Sequence, residues 1–359
     1  MNEKIIRLSI LIPCYNAEKY IGECLDSLYN QDIPESEYEI ICVNDCSSDG
    51  TRNIIVKYQN KHKNLILIDN KENKGQAETR NVALKASKGE FIWFNDDDDF
   101  VEKNCFKMLL NIVENENLDI LKFGVQRYKT ENGKVELTPF NTYCYSDEKE
   151  IVSGPEYLAT QKNGFADSVW NKIFRRKLLI DNEIYFPDMP YYEDIIFSLE
   201  SNFHSERIKN LFQDLYYYRT NLESQINKPF STINYYCQIT LCAYLLNFSK
   251  QIKDKFPELA KLIKDDTLEY NLDFSMKEIP YFNFAQRKKI VTALLPHLPE
   301  IIESNYFSGI KKFYFVHFNL ANGFLYALSP CFIFFRKLNI FFKKFVKQTK
   351  KVVKRIIKR

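Results

Sequence analysis

The sequence predicts an α/β fold with a parallel sheet, followed by a helical region. Short β-branched runs alternate with helical patterns over the first hundred residues, and polar residues cluster where those runs end. After about residue 228 the alternation gives way to helical apolar periodicity alone. Strand–helix alternation with short connections is typical of a parallel sheet with right-handed crossovers.

Four apolar runs predict the strands of this sheet. They are Arg7–Pro13, Tyr38–Val43, Asn64–Asp69 and Glu90–Asn95. Helices are predicted between them by apolar residues three to four positions apart. The first such set is Ile21, Leu25 and Leu28, with Asn16 as the expected N-cap. Because ligands bind beyond the carboxyl ends of such strands, we expect the polar residues that follow each run to form a site.

The chain is predicted to have three parts. Residues 1–227 form the α/β domain, residues 228–330 a helical region, and residues 331–359 a basic tail. The clearest helical periodicities of the second part are Tyr235–Phe248 and Pro257–Ile263.

The charge is unevenly distributed. The formal net charge is +3, but Arg336–Arg359 contains eleven Lys and Arg residues and no acid. The remainder has 39 basic against 47 acidic residues, a net charge of −8. Because this body is mildly acidic, we expect no nucleic-acid partner. The nine cysteines are odd in number and lack a C-x-x-C pair, which favours reduced thiols in the cytoplasm.

The tail has the pattern of an amphipathic helix, with apolar residues every three to four positions between Lys and Arg. Such helices lie on anionic membrane surfaces. We therefore expect a cytoplasmic protein held peripherally at the inner face of the cell membrane; Met1–Leu11 does not resemble a signal peptide. The alternative is a solvated helix or a nucleic-acid arm. Polar residues interrupt the apolar segment Phe313–Phe335, which favours a partly embedded or core-packed segment over a membrane span.

Four consecutive carboxylates, Asp96–Asp99, are the densest charge in the chain. A solvated acidic turn is one interpretation. However, the run directly follows Phe91–Phe94, which should be a buried strand, so the backbone delivers the carboxylates to a defined place. Carboxylates this close repel one another unless a cation holds them, and oxygen ligands suit Mg²⁺ or Mn²⁺.

Six short motifs along the chain have residue types and an order that are typical of one protein family. They are Pro13-x-Tyr15-Asn16-x-Glu18, Val43-Asn44-Asp45-x-Ser47-x-Asp49-Gly50-Thr51, Asn73-x-Gly75 with Arg80-Asn81, Phe94-x-Asp96-x-Asp98-Asp99, Trp170-Asn171-Lys172 and Glu193-Asp194-x-x-Phe197. With them the chain resembles the family 2 glycosyltransferases of the GT-A fold, a Rossmann-like fold that binds nucleotide-diphospho-sugars. The nearest look-alikes are bacterial enzymes of capsular, O-antigen or other cell-surface polysaccharide synthesis.

The resemblance implies a nucleotide-sugar donor, expected to be a UDP-sugar, and a Mn²⁺ or Mg²⁺ ion. It implies that Asp45 accepts the N–H of the base, that Tyr15 covers the base, and that Arg80 pairs with carboxylates or reaches the diphosphate. Asp96 would face the ribose, and Asp98 would bind the metal. The residues assigned to donor binding are Pro13, Tyr15, Asn16, Glu18, Asp45, Gly75, Arg80, Asp96 and Asp97, whereas Asp99 receives no role.

The resemblance also implies inversion of the anomeric centre, for which a base must take the proton of the acceptor hydroxyl. Asp194 matches the position of that base, and Glu193 would orient loops or the acceptor. Without the upstream carboxylates, both acids would be read as first-turn residues of a helix. The expected acceptor is a lipid-linked glycan or a polysaccharide.

The Trp170-Asn171-Lys172 motif has two interpretations. The indole of Trp170 could stack on a sugar while Asn171 and Lys172 fix hydroxyls or phosphate; alternatively, Trp170 is a core aromatic residue.

Two other functions are weighed against the transferase. One is a membrane-docked scaffold that binds a nucleotide sugar but has lost catalysis. The other is a nucleotidyltransferase, which usually needs a Gly-rich phosphate loop that Pro13–Ala17 does not provide. A processive membrane-spanning synthase is disfavoured because a Q-x-x-R-W element is missing.

Overall fold

The structure is a computed structural model that describes residues 6–131, 134–139, 150–161, 167–220, 231–267 and 285. The chain divides into two compact units, Met1–Pro229 with Phe256–Leu259, and Phe230–Lys255 with Ala260–Arg359. The predicted division at 227/228 and the predicted tail both lie outside the described residues. Within the described ranges, no helix is long and apolar enough to span a bilayer.

Strands and helices alternate along the first part of the chain. In order they are β1 (Leu8–Cys14), α1 (Ile21–Tyr29), β2 (Tyr38–Asn44), α2 (Thr51–Lys61), β3 (Leu65–Asp69), α3 (Gln76–Ala86), β4 (Phe91–Phe94), β5 (Phe100–Val101), α4 (Phe106–Asn115), β6 (Ile120–Glu131), β7 (Lys134–Pro139), β8 (Ile151–Val152), α5 (Gly154–Ala159), β9 (Lys172–Arg175), α6 (Arg176–Asp181), α7 (Glu193–His204) and β10 (Ile208–Arg219). Two further helices follow, α8 (Thr232–Ile252) and α9 (Pro257–Asp266). All four predicted strands are present, with ends shifted by no more than one residue.

The strands form one mixed sheet in the order β3-β2-β1-β4-β9-β6-β10-β5, with β7 beside β6 and β8 beside β10. The parallel arrangement predicted for the first hundred residues is confirmed for β1 to β4, and the sheet as a whole is mixed. Strand β9 runs antiparallel to both β4 and β6, between the first four strands and the parallel pair β6–β10. Strand β7 also runs antiparallel to its neighbour β6, with which it forms a hairpin.

The register of the parallel strands brings three connecting loops to one edge of the sheet. Cys14 at the end of β1 pairs with Asn44 at the end of β2, and Asn44 pairs with Asp69 at the end of β3. The loops after these strands therefore start side by side. Strand β4 ends at Phe94, which pairs with Leu11 of β1, three residues before the end of that strand.

Both faces of the central strands are buried. In β1, Ile10 and Ile12 belong to one apolar cluster and Leu11 to the other, while Ile40 and Ile41 of β2 divide in the same way. Helices α1 and α4 contribute to the first cluster, and α3, α6 and α7 to the second. Strands that are covered on both sides are expected to be continuous apolar runs. This is why these strands could be identified from the sequence.

The predicted N-cap of the first helix is wrong. Helix α1 begins at Ile21 after Tyr20, whereas Asn16 lies in the loop before it with a positive φ of 53°. The Asn16 N–H donates to Ser47 Oγ at 3.1 Å instead of starting a helix. Residues 15–20 therefore form a loop between β1 and α1 that is hydrogen-bonded to the loop after β2.

The second unit is helical where it is described. The periodicities predicted at Tyr235–Phe248 and Pro257–Ile263 lie within α8 and α9 and are confirmed as helices. Helix α8 begins with a capping box between Ser231 and Asn234.

Candidate active site

The loop after β3 is organised by one buried carboxylate. Asp45 is only 3% exposed, and its oxygens accept hydrogen bonds from the backbone N–H groups of Lys74 and Gly75, each at 2.9 Å, and from Asn70 Nδ2 at 2.8 Å. These bonds fix the entrance to α3. The Asp45 carboxylate, which follows β2, thus binds the loop after β3, and its predicted contact with a nucleotide base stays a prediction.

Gly75 precedes α3 and has a φ of +81°. This conformation is strained for residues with a side chain. A Cβ at this position would meet nothing within 4 Å, so the open space beside it is available to a ligand. The Gly75 N–H donates to Asp45, 30 residues earlier in the sequence. The acid thus holds the backbone in place where the positive φ needs a glycine.

The loop between β1 and α1 forms a second wall. Pro13 is buried in β1, whereas Tyr15, Asn16 and Glu18 are exposed. The Tyr15 side chain is 52% exposed, while its N–H donates to Asp97 Oδ2 at 2.9 Å. Glu18 accepts the N–H of Gly50 at 2.7 Å and so joins this loop to the one after β2. The structure thus brings the predicted donor-binding residues of two loops together and leaves the Tyr15 ring free to stack on a planar ligand.

The carboxylate turn after β4 carries more negative charge than it can compensate. Burial, with repulsion from Asp96, raises the pKa of Asp98 to about 6. Burial, with repulsion from Asp98, raises the pKa of Asp97 well above its usual value. In the described part of the chain, no hydrogen bond from another residue reaches the Asp98 carboxylate. Asp98 is therefore free to bind a ligand.

Arg80 joins this turn to α7. Its guanidinium donates to Asp96 Oδ1 at 2.8 Å and to Glu193 Oε1 at 3.0 Å, although these partners lie 16 and 113 residues away in sequence. Arg80 is 3% exposed. Burial alone would lower its pKa, but the charges of Asp96 and Glu193 outweigh burial and raise it. The pairing therefore places the two predicted halves of the site side by side.

Asp194 follows Glu193 in the first turn of α7. The turn is entered through Tyr192 in the left-handed conformation, with a φ of 68°. Burial and the neighbouring Glu193 raise the pKa of Asp194 to about 7, whereas Arg80 lowers it. A carboxylate with a pKa near neutrality is suited to accept a proton during a reaction.

The residues of the Trp170-Asn171-Lys172 motif are buried. Trp170 stacks on Tyr216 with a ring-centroid distance of 4.8 Å, and its carbonyl accepts the indole N–H of Trp93 at 2.7 Å. Asn171 is fully buried and donates to the carbonyl of Phe123. Direct contact with an acceptor stays a prediction for this motif. The observed contacts favour the alternative interpretation of Trp170 as a core residue.

Lys172 belongs to a buried ionic cluster that the sequence did not reveal. Its Nζ lies 2.5 Å from Asp167 Oδ2, and Lys122 Nζ lies 2.9 Å from Asp167 Oδ1. Burial lowers the pKa of Lys172 to about 8 despite the attraction of Asp167. The two lysines lie on different strands, so sequence spacing carries no signal for this pairing.

The carboxylate turn carries oxygen atoms of the kind that bind a hard divalent cation. The unbonded oxygens of Asp98, beside Asp96, suit Mg²⁺ or Mn²⁺. No group of three or more His, Cys, Asp or Glu side chains in the described ranges is arranged to hold a metal by itself. Mg²⁺ is commonly held by one or two carboxylates together with substrate phosphates and water. The residues present fit an ion of this kind.

The sequence is also similar to those of known proteins. Residues 9–182 match the protein family Glycosyl transferase family 2. The poly(ribitol-phosphate) beta-N-acetylglucosaminyltransferase TarS of Staphylococcus aureus is 34% identical over 222 residues, which are 62% of this chain and 37% of that protein. The poly(ribitol-phosphate) beta-glucosyltransferase of Bacillus spizizenii is 33% identical over 226 residues, 59% of this chain and 32% of that protein. The chain thus spans about a third of the length of these relatives.

A solved structure shares the fold. The crystal structure of S. aureus TarS 1–349 in complex with UDP-GlcNAc superposes with a TM-score of 0.63 and 27% sequence identity, covering 82% of this chain and 81% of that one. This similarity confirms the predicted GT-A fold, and the mixed α/β sheet agrees with it.

Proposed function

We propose that this chain, whose residues 9–182 match family 2 of the glycosyltransferases, transfers a sugar from a UDP-sugar to an acceptor hydroxyl in bacterial cell-surface glycan synthesis. The observation that carries the proposal is the double hydrogen bond of Arg80 to Asp96 and Glu193. These bonds join the Asp96–Asp98 turn, which is suited to a metal-bound nucleotide diphosphate, to the start of α7. The first turn of α7 carries Asp194, which is suited to act as a base.

The donor would lie at the carboxyl edge of β1 to β4. In this arrangement Tyr15 covers the base, the loop held by Asp45 and Gly75 borders it, and Asp96 faces the ribose. Asp98 would hold Mn²⁺ or Mg²⁺, and such an ion supplies Lewis-acid stabilisation of the charge that grows on the leaving diphosphate. Arg80 keeps Asp96 in place and limits the repulsion within the turn.

The chemical step follows from the position of Asp194. We propose that its carboxylate takes the proton of the acceptor hydroxyl while the hydroxyl oxygen bonds to the anomeric carbon. The bond from that carbon to the diphosphate oxygen breaks, and UDP leaves with its electron pair. Attack from the side opposite the leaving group inverts the anomeric centre. Glu193, fixed by Arg80, holds the first turn of α7 so that Asp194 faces the reacting groups.

The acceptor is proposed to be a lipid-linked glycan or a polysaccharide of the cell surface. The relatives named above act on poly(ribitol phosphate), which makes a polyol-phosphate chain a specific candidate. The basic tail, residues 331–359, would hold the protein at the anionic inner face of the cell membrane, where such acceptors are assembled.

The proposal is tested by UDP binding and nucleotide release. Calorimetry should show UDP binding with Mn²⁺ and much weaker binding with EDTA, and Asp98→Ala should lower the Mn²⁺-dependent affinity about 100-fold. The matched control is Asp181→Ala, which removes an exposed carboxylate that pairs with Lys177. Equal UDP affinity with Mn²⁺ and with EDTA would contradict the metal site.

A donor screen completes the test. Released nucleotide is measured with UDP-, dTDP- and GDP-sugars, and we expect release from a UDP-sugar. Binding of UDP without release from any donor would favour the catalytically silent scaffold instead.

A further inference from the structure

Asp99, the last carboxylate of the turn, does not share the environment of its neighbours. It is 1% exposed, whereas Asp96, Asp97 and Asp98 are only half-buried. Its Oδ2 accepts the hydroxyl of Tyr216 at 2.7 Å, and its Oδ1 accepts the backbone N–H of Arg219 at 2.7 Å. Asp99 therefore binds the end of β10 and is not available to a ligand.

The same strand holds the main chain of the turn at two further points. The Tyr216 hydroxyl, which donates to Asp99, also accepts the N–H of Asp96 at 3.2 Å. Arg219 Nε donates to the carbonyl oxygen of Asp98 at 2.8 Å. The backbone is thus held on either side of the two side chains that the proposed function uses, Asp96 and Asp98.

The side chains that make these bonds are themselves fixed. Tyr216 stacks on Trp170 at 4.8 Å. The Arg219 guanidinium lies 4.9 Å from the ring centroids of both Tyr20 and Tyr128, and its Nη2 donates to Glu23 at 2.6 Å. Rigid supports of this kind are what a binding site needs to keep its ligands within a fraction of an ångström.

We propose that Asp99, Tyr216 and Arg219 are positioning residues that hold the Asp96–Asp98 turn in the conformation that receives a divalent cation and a nucleotide diphosphate. The proposal rests on the function proposed above. Its physical reason is repulsion: adjacent carboxylates in a half-buried turn move apart unless their backbone is held. The bonds from β10 oppose this movement before any ligand arrives, so the ligand meets a preformed site.

The test is Tyr216→Phe, which removes the shared hydroxyl and keeps the ring that stacks on Trp170. Tyr217→Phe is the matched control, because it removes the neighbouring hydroxyl on β10, which donates to Glu102 and not to the turn. UDP affinity is measured by calorimetry with MnCl₂ and with EDTA, and donor KM and kcat are measured separately. Thermal unfolding of each variant is recorded in parallel.

For Tyr216→Phe we expect Mn²⁺-dependent UDP affinity to fall about tenfold, since one hydroxyl and its buried partners lose their bonds. UDP affinity in EDTA should be unchanged, and donor KM should rise with little change in kcat. Asp99→Asn should show the same selective loss, because it keeps the size of the side chain but weakens both acceptor bonds. Tyr217→Phe should behave like the wild type.

Three results would overturn the positioning role: wild-type affinity in both Tyr216→Phe and Asp99→Asn, equal losses with Mn²⁺ and with EDTA, or failure of both variants to fold. The last two would indicate a purely structural role. A failure of the proposed function is distinguishable, because the wild type itself would then show neither Mn²⁺-dependent UDP binding nor nucleotide release.

Discussion

Two buried ionic clusters in the first unit have opposite compositions. In the Arg80 cluster, one cation lies between two carboxylates, Asp96 and Glu193. In the Asp167 cluster, one carboxylate lies between two lysines, Lys122 and Lys172. Each central residue is almost fully buried, and each cluster joins segments that are distant in sequence.

The clusters differ in the sign of the charge that they leave in excess. Asp167 accepts bonds from both lysines and from Asn202, and Lys122 also donates to Tyr157. The Arg80 cluster, by contrast, adjoins Asp98 and Asp194, whose pKa values are raised to about 6 and about 7 mainly by burial. Each cluster also contains one buried atom, Arg80 Nε or Asn202 Oδ1, that lacks a hydrogen-bond partner in the described part of the chain. The Asp167 cluster is closed, since its three charged side chains are at most 7% exposed. The Arg80 cluster is open, since the Asp96 side chain is 20% exposed and can be reached by a ligand.

The largest effect is expected at the open cluster. Asp194→Asn should lower kcat about 10²- to 10⁴-fold, because the amide cannot accept the acceptor proton. UDP affinity should stay within about twofold of the wild type, because Asp194 is not proposed to touch the nucleotide. The measurement is nucleotide release together with calorimetry. Unchanged turnover would remove Asp194 as the base, and lost UDP affinity would place it in the donor site.

A methionine in place of Arg80 or of Lys172 tests how the two clusters differ in stability and in access to a cation. Arg80→Met should lower the free energy of unfolding by about 3–5 kcal/mol, because it leaves two buried carboxylates without their cation. Lys172→Met should lower it by less, because Asp167 keeps its ion pair with Lys122. Mn²⁺ alone should restore part of the loss in Arg80→Met, where a cation can reach the carboxylates, and none in Lys172→Met. Chemical denaturation with and without Mn²⁺ measures both effects. Equal rescue of both variants would mean that the two clusters do not differ in access.

Ligand-induced stabilisation gives a smaller effect. At a UDP concentration about 100 times its Kd and saturating Mn²⁺, the wild type should gain about 2.7 kcal/mol of unfolding free energy. Lys172→Arg should gain as much, because the closed cluster does not bind the ligand, whereas Asp98→Ala should gain much less. The gain in unfolding free energy is measured by thermal unfolding. A full gain in Asp98→Ala would show that the open cluster is not the binding site.

The smallest effect is the dependence on pH. Below the Asp194 pKa of about 7, turnover should fall about tenfold per pH unit as the base becomes protonated. The free energy of unfolding should change in the opposite direction. The Asp194 carboxyl binds its proton more tightly in the native state than in the unfolded state, where its pKa is near 3.8. The stability that this proton contributes to the unliganded protein is therefore lost as the pH rises from 3.8 to about 7. Turnover that is flat between pH 5 and 8 would contradict the assignment.

Local sequence patterns were sufficient wherever one segment alone determines its structure. The apolar runs of β1 to β4 and the periodicity of α1, α8 and α9 gave the correct elements. The helix cap at Asn16 failed, because the hydrogen bond of Asn16 to Ser47 depends on the neighbouring loop and not on its own segment. The direction of β9 had no signal in the sequence for the same reason, since it depends on the strands with which β9 pairs.

The sequence by itself determined the four parallel strands, the polar residues at their carboxyl ends and the family motifs. Each of these is encoded by residue type at short spacing. Only the tertiary structure decided that Arg80 reaches Glu193 across 113 residues, that Asp99 is held by Tyr216 across 117, and that Lys172 is buried beside Asp167. Charge compensation and burial are properties of the packed chain, so no spacing along the sequence can reveal which carboxylates are paired and which remain free to bind.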